Sequence, residues 1–258
     1  MTFPKLGHAD LRDRICLVTG ASRGIGAAAA EHVADCGATV VLAARDFELV
    51  TENARLISEK GGKAVPFRLD IASDDSVREC VEWIENEFGA LHLAFNNAGV
   101  QADPLPLHEV AIEDVERVID VNLLGTIRCL RHEIPAMLRA GGGVILNTAS
   151  VGGLIAAPGI GVYCASKHGV IGISRSAALD YARQGIRVNV LAPGSVRTRM
   201  LTDWLSDEAE LAAMTDAAPQ GRLAEPEEIA RIVGWLLSDA STFMTGAVVT
   251  ADGGYTIA

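Results

Sequence analysis

Seven short apolar runs, separated by longer stretches of helical character, constrain this chain more than any other feature of its sequence. The runs fall at 15–19, 39–43, 64–69, 91–96, 144–148, 186–191 and 247–251. They are apolar along most of their length rather than alternating with polar residues. A strand with one wet face alternates, whereas a strand buried on both faces does not. Helical patterning occupies 24–36, 47–60, 73–88, 110–139, 161–183 and 225–238, the fourth with a break expected near Gly125 or Pro135. This alternation predicts an α/β fold: a Rossmann-type, doubly wound parallel sheet of about seven strands with helices on both faces. No linker or internal repeat interrupts it, so residues 1–258 are expected to form one domain. The segment at about 199–219 breaks the rhythm. It carries Met200, Leu201, Trp204, Leu205, Leu211 and Met214 in what reads as short helices. A substrate lid is expected there, with Met200 and Trp204 either over the substrate or inside the insertion.

Composition narrows the classes of function. Apolar residues make up 49% and charged residues 21% of 258, which excludes disorder. The formal net charge of −11 opposes polyanionic partners, so nucleic acid is not expected. The five cysteines, Cys16, Cys36, Cys80, Cys129 and Cys164, contain no CxxC pair, and the six histidines contain no HxH or HExxH. Neither a disulfide framework nor a metal site is expected. The leading MTFPKLGHADLRDR has no apolar signal-peptide core. No uncharged apolar run approaches the roughly 20 residues of a membrane helix. A cytoplasmic protein without membrane partners is expected.

TGASRGIG follows the first apolar run and opens the first helix. Gly20, Gly24 and Gly26 permit a tight turn and close approach of a pyrophosphate, and the helix start offers free N–H groups and a positive dipole end. The spacing is GxxxGxG rather than GxGxxG, so its position carries more weight than the triplet itself. At the end of the second run, an acid would bind a ribose 2′-hydroxyl, whereas an arginine accommodates a 2′-phosphate. The chain reads Ala44-Arg45 there, with Arg23 in the glycine turn, which favours NADP(H) and leaves NAD(H) open. Asp46 follows Arg45 and could cap the next helix.

Tyr163 and Lys167 stand at i and i+4 in YCASK, on one face of a predicted helix. A phenol is a weak proton carrier at neutral pH, but an ammonium one turn away favours its ionised form. Ser150 ends the fifth run in LNTAS, where a hydroxyl can hold a carbonyl oxygen and its developing charge.

With these residues in view, the chain resembles the short-chain dehydrogenase/reductase family from about residue 14 to residue 254. The matching motifs are TGASRGIG, Asp70-Ile71, the NNAG of residues 96–99, Asn122 in VNLLG, Ser150, YCASK, PGSVRT at 193–198 and the DGG of residues 252–254. Tyr163 lies 13 residues after Ser150, the family's usual gap. The resemblance implies a catalytic set of Asn122, Ser150, Tyr163 and Lys167. Ser150 would polarise the carbonyl, Tyr163 would give or take the proton, and Lys167 would hold the ribose hydroxyls and lower the phenol's pKa. Asn122 would anchor a relay water; alone, it could equally be a structural amide. Gly20, Ser22, Arg23, Gly24, Ile25 and Gly26 would hold the cofactor at the glycine turn, with Arg45 at the strand tip. Asp70 and Ile71 would meet the adenine, although Asp70 could instead cap the following helix. Asn97, Ala98 and Gly99 would line the cofactor path, and Pro193, Gly194, Val196 and Thr198 would support the nicotinamide. Family members are usually homotetramers built on the helices of Asn122 and Tyr163 and on the last strand.

The implied activity is an NADP(H)-dependent interconversion of a ketone and a secondary alcohol, with Tyr163 as general acid and base. Val151, Gly152, Gly153, Leu154 and Ile155, with the insertion, would shape an apolar pocket for a medium-sized, weakly polar substrate such as a cyclic or acyl ketone. Two alternatives remain at this point: an NAD-dependent alcohol dehydrogenase of the same family, and a cofactor-binding regulator without turnover.

Overall fold

The computed structural model describes residues 9–203 and 208–258. β1 (Ile15–Thr19) turns into α1 (Gly24–Asp35); β2 (Thr39–Ala44), α2 (Phe47–Glu59), β3 (Lys63–Arg68), α3 (Asp74–Phe88) and β4 (Leu93–Asn96) follow. The second half runs α4 (Ile112–Ile119), α5 (Gly125–Arg139), β5 (Gly143–Thr148), α6 (Gly161–Tyr181) and β6 (Ile186–Pro193). Then come α7 (Arg199–Thr202), α8 (Glu208–Asp216), α9 (Pro226–Leu237) and β7 (Val248–Ala251). The strands form one seven-stranded sheet in the order β3-β2-β1-β4-β5-β6-β7, and every neighbouring pair is parallel. The chain winds outward from β1, returns to place β4 beside it, and winds outward the other way. The carboxyl ends at that reversal form the crevice of a doubly wound sheet.

The strands are apolar because each face meets a different helical layer. Cys16 and Val18 of β1 pack with Val40 and Leu42 of β2 against Ala29, Ala30 and Val33 of α1 and Ile229 and Val233 of α9. Leu17 and Val41 face the other way, onto Val77, Val81 and Ile84 of α3 and Leu130, Ile134 and Met137 of α5. Two-residue periodicity therefore survives, but both of its phases are buried. Pro66 sits in β3, an edge strand, where a missing N–H is tolerated.

Local chemistry sets the boundaries. Asp46 caps α2 by accepting from the Leu49 N–H at 3.3 Å. Ser73, rather than Asp70, caps α3 by accepting from the Ser76 N–H at 3.2 Å. α9 opens on a reciprocal capping pair of Glu225 and Glu228 with Pro226 in its first turn. α6 stops at Tyr181, short of the expected 183, and residues 182–184 tighten into a 3₁₀ turn before Gly185.

The break expected near Gly125 or Pro135 takes another form. Pro135 lies inside α5 without ending it. Between α4 and α5, residues 120–124 make one wider π turn, where the Gly125 N–H donates to the Asp120 carbonyl five residues back. One extra residue is absorbed there, and Asn122 comes to lie fully buried within it. The 199–219 insertion is helical as expected, as α7 and α8. Trp204 and Leu205 lie outside the described residues. Among the described residues, no helix is long and apolar enough to cross a membrane.

Candidate active site

A cleft of about 1380 Å³ lies over the carboxyl ends of the central strands. Every sequence-predicted site residue lines it except Gly26 and Asn122, which lie behind its walls.

The glycine turn is built by close approaches within the chain. A Cβ at Gly26 would stand 2.2 Å from the Gly20 carbonyl oxygen, and one at Gly20 2.8 Å from Ala98 Cα. Gly20 and Gly24 also have φ of +68° and +55°, which L side chains rarely adopt. The turn is thus pressed onto the β4 tip, and its glycines serve this packing before any ligand arrives. Thr19 joins the same tip: its hydroxyl accepts from the Asn97 and Ala98 N–H groups at 3.0 and 3.2 Å. At α1, Arg23 occupies the N-cap without a side-chain capping bond. Arg23, Gly24 and Ile25 line the cleft, so the positive end of the α1 dipole lies at its edge, where an anion would be favoured.

Ser150, Tyr163 and Lys167 meet on the far wall. β5 carries the chain to Ser150, whose hydroxyl also accepts from the Gly152 N–H at 3.1 Å and holds the following loop. α6 stacks Tyr163 and Lys167 one turn apart, placing the Lys167 ammonium 5.6 Å from the phenol ring centre. Burial pushes the Tyr163 phenol above its ordinary value, while a hydrogen bond with Ser150 pulls the other way. The lowering expected from Lys167 does not set the direction: desolvation is the largest effect on the phenol, and Ser150 is what opposes it. Burial also lowers Lys167 to about 8. Its Nζ donates to the Thr148 carbonyl at 2.9 Å.

Asn122 acts on this wall from behind. Its Oδ1 accepts from the Val100 N–H at 2.8 Å, and its Nδ2 donates to the Val100 carbonyl at 2.9 Å and to Ser166 Oγ at 3.1 Å. Ser166 in turn donates to the Tyr163 carbonyl at 2.7 Å. Ser166 was not singled out by sequence; the only signal was its place inside YCASK.

At the β2 tip, Arg45 is exposed and lines the cleft, and it enters no ion pair among the described residues. Arg23 is braced against Asp46 at 3.0 Å, the same carboxylate that caps α2. Asp70 and Ile71 line the cleft beyond this tip, Asn97, Ala98 and Gly99 its centre, and Pro193, Gly194, Val196 and Thr198 its far end. Sequence reasoning missed Gln101, Pro104, Thr148 and Tyr255, which also line it. None stands in a pattern that marks it.

The residues present suit a dinucleotide. Lys167 uses one of its three ammonium hydrogens, leaving two for vicinal hydroxyls. Thr148 Oγ1, buried beside it, has no partner among the described residues. The cleft, of about 1380 Å³, is lined from the β2 tip at Arg45 to the segment after β6 at Thr198, so one ligand could meet both.

A family model described as enoyl-(acyl carrier protein) reductase matches residues 20–256. Cyclohexanol dehydrogenase of Acinetobacter sp. (strain SE19) is 42% identical over 252 residues, 98% of each chain. A 2,5-dichloro-2,5-cyclohexadiene-1,4-diol dehydrogenase of Sphingobium indicum is 42% identical over 250 residues, 96% of this chain and 99% of that one. The crystal structure of a short-chain type dehydrogenase/reductase from Mycobacterium marinum superposes with a TM-score of 0.90 at 34% identity, covering 96% of this chain and 98% of that one.

Proposed function

The chain belongs to the short-chain dehydrogenase/reductase family and acts on CH–OH groups, and from that premise we propose that it interconverts a cyclic ketone and its secondary alcohol using NADP(H). The observation that carries this reading is the convergence of Ser150, Tyr163 and Lys167 on one wall of a dinucleotide-sized cleft.

When bound, the nicotinamide supplies or receives the hydride. The chain's own residues do the rest. Ser150 donates to the substrate oxygen and holds it within reach of Tyr163. Tyr163 Oη delivers the proton to that oxygen in reduction and accepts it in oxidation. Lys167 holds the ribose hydroxyls and places a positive charge near the phenol. Asn122, through Ser166, fixes the backbone at Tyr163. An apolar group of Val151, Ile155, Ile160, Met200, Leu201 and Met214 also lines the cleft. It offers a carbocyclic ring dispersion contacts and no charge to satisfy. The two relatives named for ring alcohols support that class.

Arg45, unpaired at the β2 tip, supports the phosphorylated cofactor, since a 2′-phosphate needs a cation free to meet it. Asp46 favours a second reading, NAD(H), because it places a carboxylate on Arg23 at the same tip. Self-association is part of the proposal: Leu179 on α6 and Phe243 and Ile257 around β7 are exposed, and a homotetramer would cover them.

Reduction of cyclohexanone and ring-substituted ketones, followed by NADPH absorbance, tests the reaction. Tyr163→Phe is expected to lower kcat by about 10²–10⁴-fold, the usual worth of a positioned proton carrier, with cofactor affinity retained. Equal rates in the two proteins would remove Tyr163 from the chemistry.

A further inference from the structure

Among the described residues, the catalytic scheme leaves one fully buried carboxyl group unused. Glu133, on α5, is fully buried. Asn96 Nδ2 donates to Glu133 Oε2 at 2.9 Å and also to Asn147 Oδ1 at 3.0 Å. Asn147 Nδ2 donates to Ser174 Oγ at 2.8 Å, and Ser174 Oγ to the Val170 carbonyl at 2.6 Å. A polar chain thus crosses the interior from α5 through β4 and β5 to α6. It is satisfied except at two side-chain atoms, Glu133 Oε1 and Asn96 Oδ1.

Those two orphans belong to the one pair already joined by a hydrogen bond. Both are acceptors while Glu133 is ionised, so neither can serve the other. A neutral carboxyl group carries one hydrogen, and a carboxylic acid and a primary amide are complementary: N–H to O on one side, O–H to O on the other. One proton would satisfy both atoms, removing two buried unpaired groups at once.

The surroundings agree. Facing Glu133 are the thiols of Cys16 on β1, Cys80 on α3 and Cys129 on α5 itself, each pushed up mainly by burial and further by any charge on the carboxyl, so none supplies a counter-charge. The arginines of α5 are engaged elsewhere: Arg128 with Asp120 at 2.7 Å, Arg131 with Asp74 at 3.2 Å and Arg139 with Glu85 at 2.7 Å; His132 Nε2 also lies 3.1 Å from Asp74. An unpaired charge at this depth is costly. Burial pushes the carboxyl up to about 7, opposed by the Asn96 bond.

We propose that Glu133 is carried as a neutral carboxylic acid whose proton is donated to Asn96 Oδ1, and that this closed pair positions the β4 and β5 ends beneath the cleft. Asn96 precedes Asn97 and Ala98, which bond to Thr19 in the cleft floor. Asn147 precedes Thr148, whose carbonyl holds Lys167. This positioning role rests on the oxidoreductase reading above; the protonation state does not.

Infrared spectroscopy tests the protonation state. Wild-type protein grown with ¹³C-carboxyl glutamate should show, near pH 6, an isotope-shifted carbonyl stretch of a neutral acid above the amide band. The band should fade as pH passes about 7 and be missing from Glu133→Gln. Its absence throughout overturns the proposal, and because the labelled wild type suffices, a poorly folding variant does not rescue it. Glu133→Gln tests positioning, since its amide can close the same pair at every pH. Raising the pH from 6 to 8 should weaken dinucleotide binding by about fivefold more in wild type than in Glu133→Gln, the equilibrium equivalent of about one hydrogen bond. Identical pH curves overturn the positioning role. If neither protein binds a dinucleotide, the oxidoreductase reading and the positioning role fall together, and the infrared band decides the state of Glu133.

Discussion

Tyr163, half-buried at the cleft, and Lys167, buried behind it, are each moved by desolvation toward the neutral form: the phenol upward, the ammonium downward to about 8. A neutral phenol is the species that would donate the proton in the proposed ketone reduction. A lysine at about 8 keeps its charge at pH 7 and loses half of it one unit higher. Reductive kcat/KM, which reports free-enzyme ionisations, should therefore fall as pH rises through about 8. A profile flat to pH 10 would dissociate Lys167 from the rate. Arg45→Asp should reverse the cofactor preference, weakening NADPH by about 10-fold or more through loss of a charge-assisted contact and gain of a like charge. Direct titration with both cofactors measures it, and an unchanged NADPH preference would leave Arg45 without a role. The i, i+4 spacing made the tyrosine and lysine legible in sequence, because helical periodicity fixes which side chains share a face. Glu133 was not legible. In LRHEIPAM it reads as one more charge on an amphipathic helix, and only the packed fold turns it inward.

At the scale of elements, the strand and helix order was readable because burial on both faces leaves continuous apolar runs, and most boundaries fell within a residue or two. The π turn was not readable. One inserted residue changes no composition and needs only the hydrogen-bond partner of Gly125 to shift. The glycine turn was half readable: its position was evident, but the packing of Gly26 on the Gly20 carbonyl was not. Gly26→Ala should therefore destabilise the fold by about 1–3 kcal/mol, as overpacking does, besides impairing cofactor binding. Gly161→Ala, where a Cβ meets nothing within 4 Å, should leave stability within about 0.5 kcal/mol. Urea denaturation of the two variants measures the contrast, and equal midpoints would show the turn to be looser than described.

For the whole molecule, what composition could not reveal is where apolar side chains remain uncovered. Leu179, Phe243 and Ile257 are exposed on α6 and around β7, although 49% apolar content says only that a core exists. Sedimentation velocity should find a particle of four chains, and Leu179→Arg should shift it toward smaller species. A single-chain mass for the unaltered protein at micromolar concentration would refute the assembly.

The outward, return and outward winding of the sheet also has a consequence for synthesis. β2 lies between β1 and β3, so the first three strands can pair while the ribosome is still translating the remainder, and α9 packs against α1 only near the end. Ser150, Tyr163 and Lys167 emerge later and acquire a surface to fold against when β4 has joined β1. The glycine turn is thus an early product of the nascent chain, and the proton-handling wall a late one.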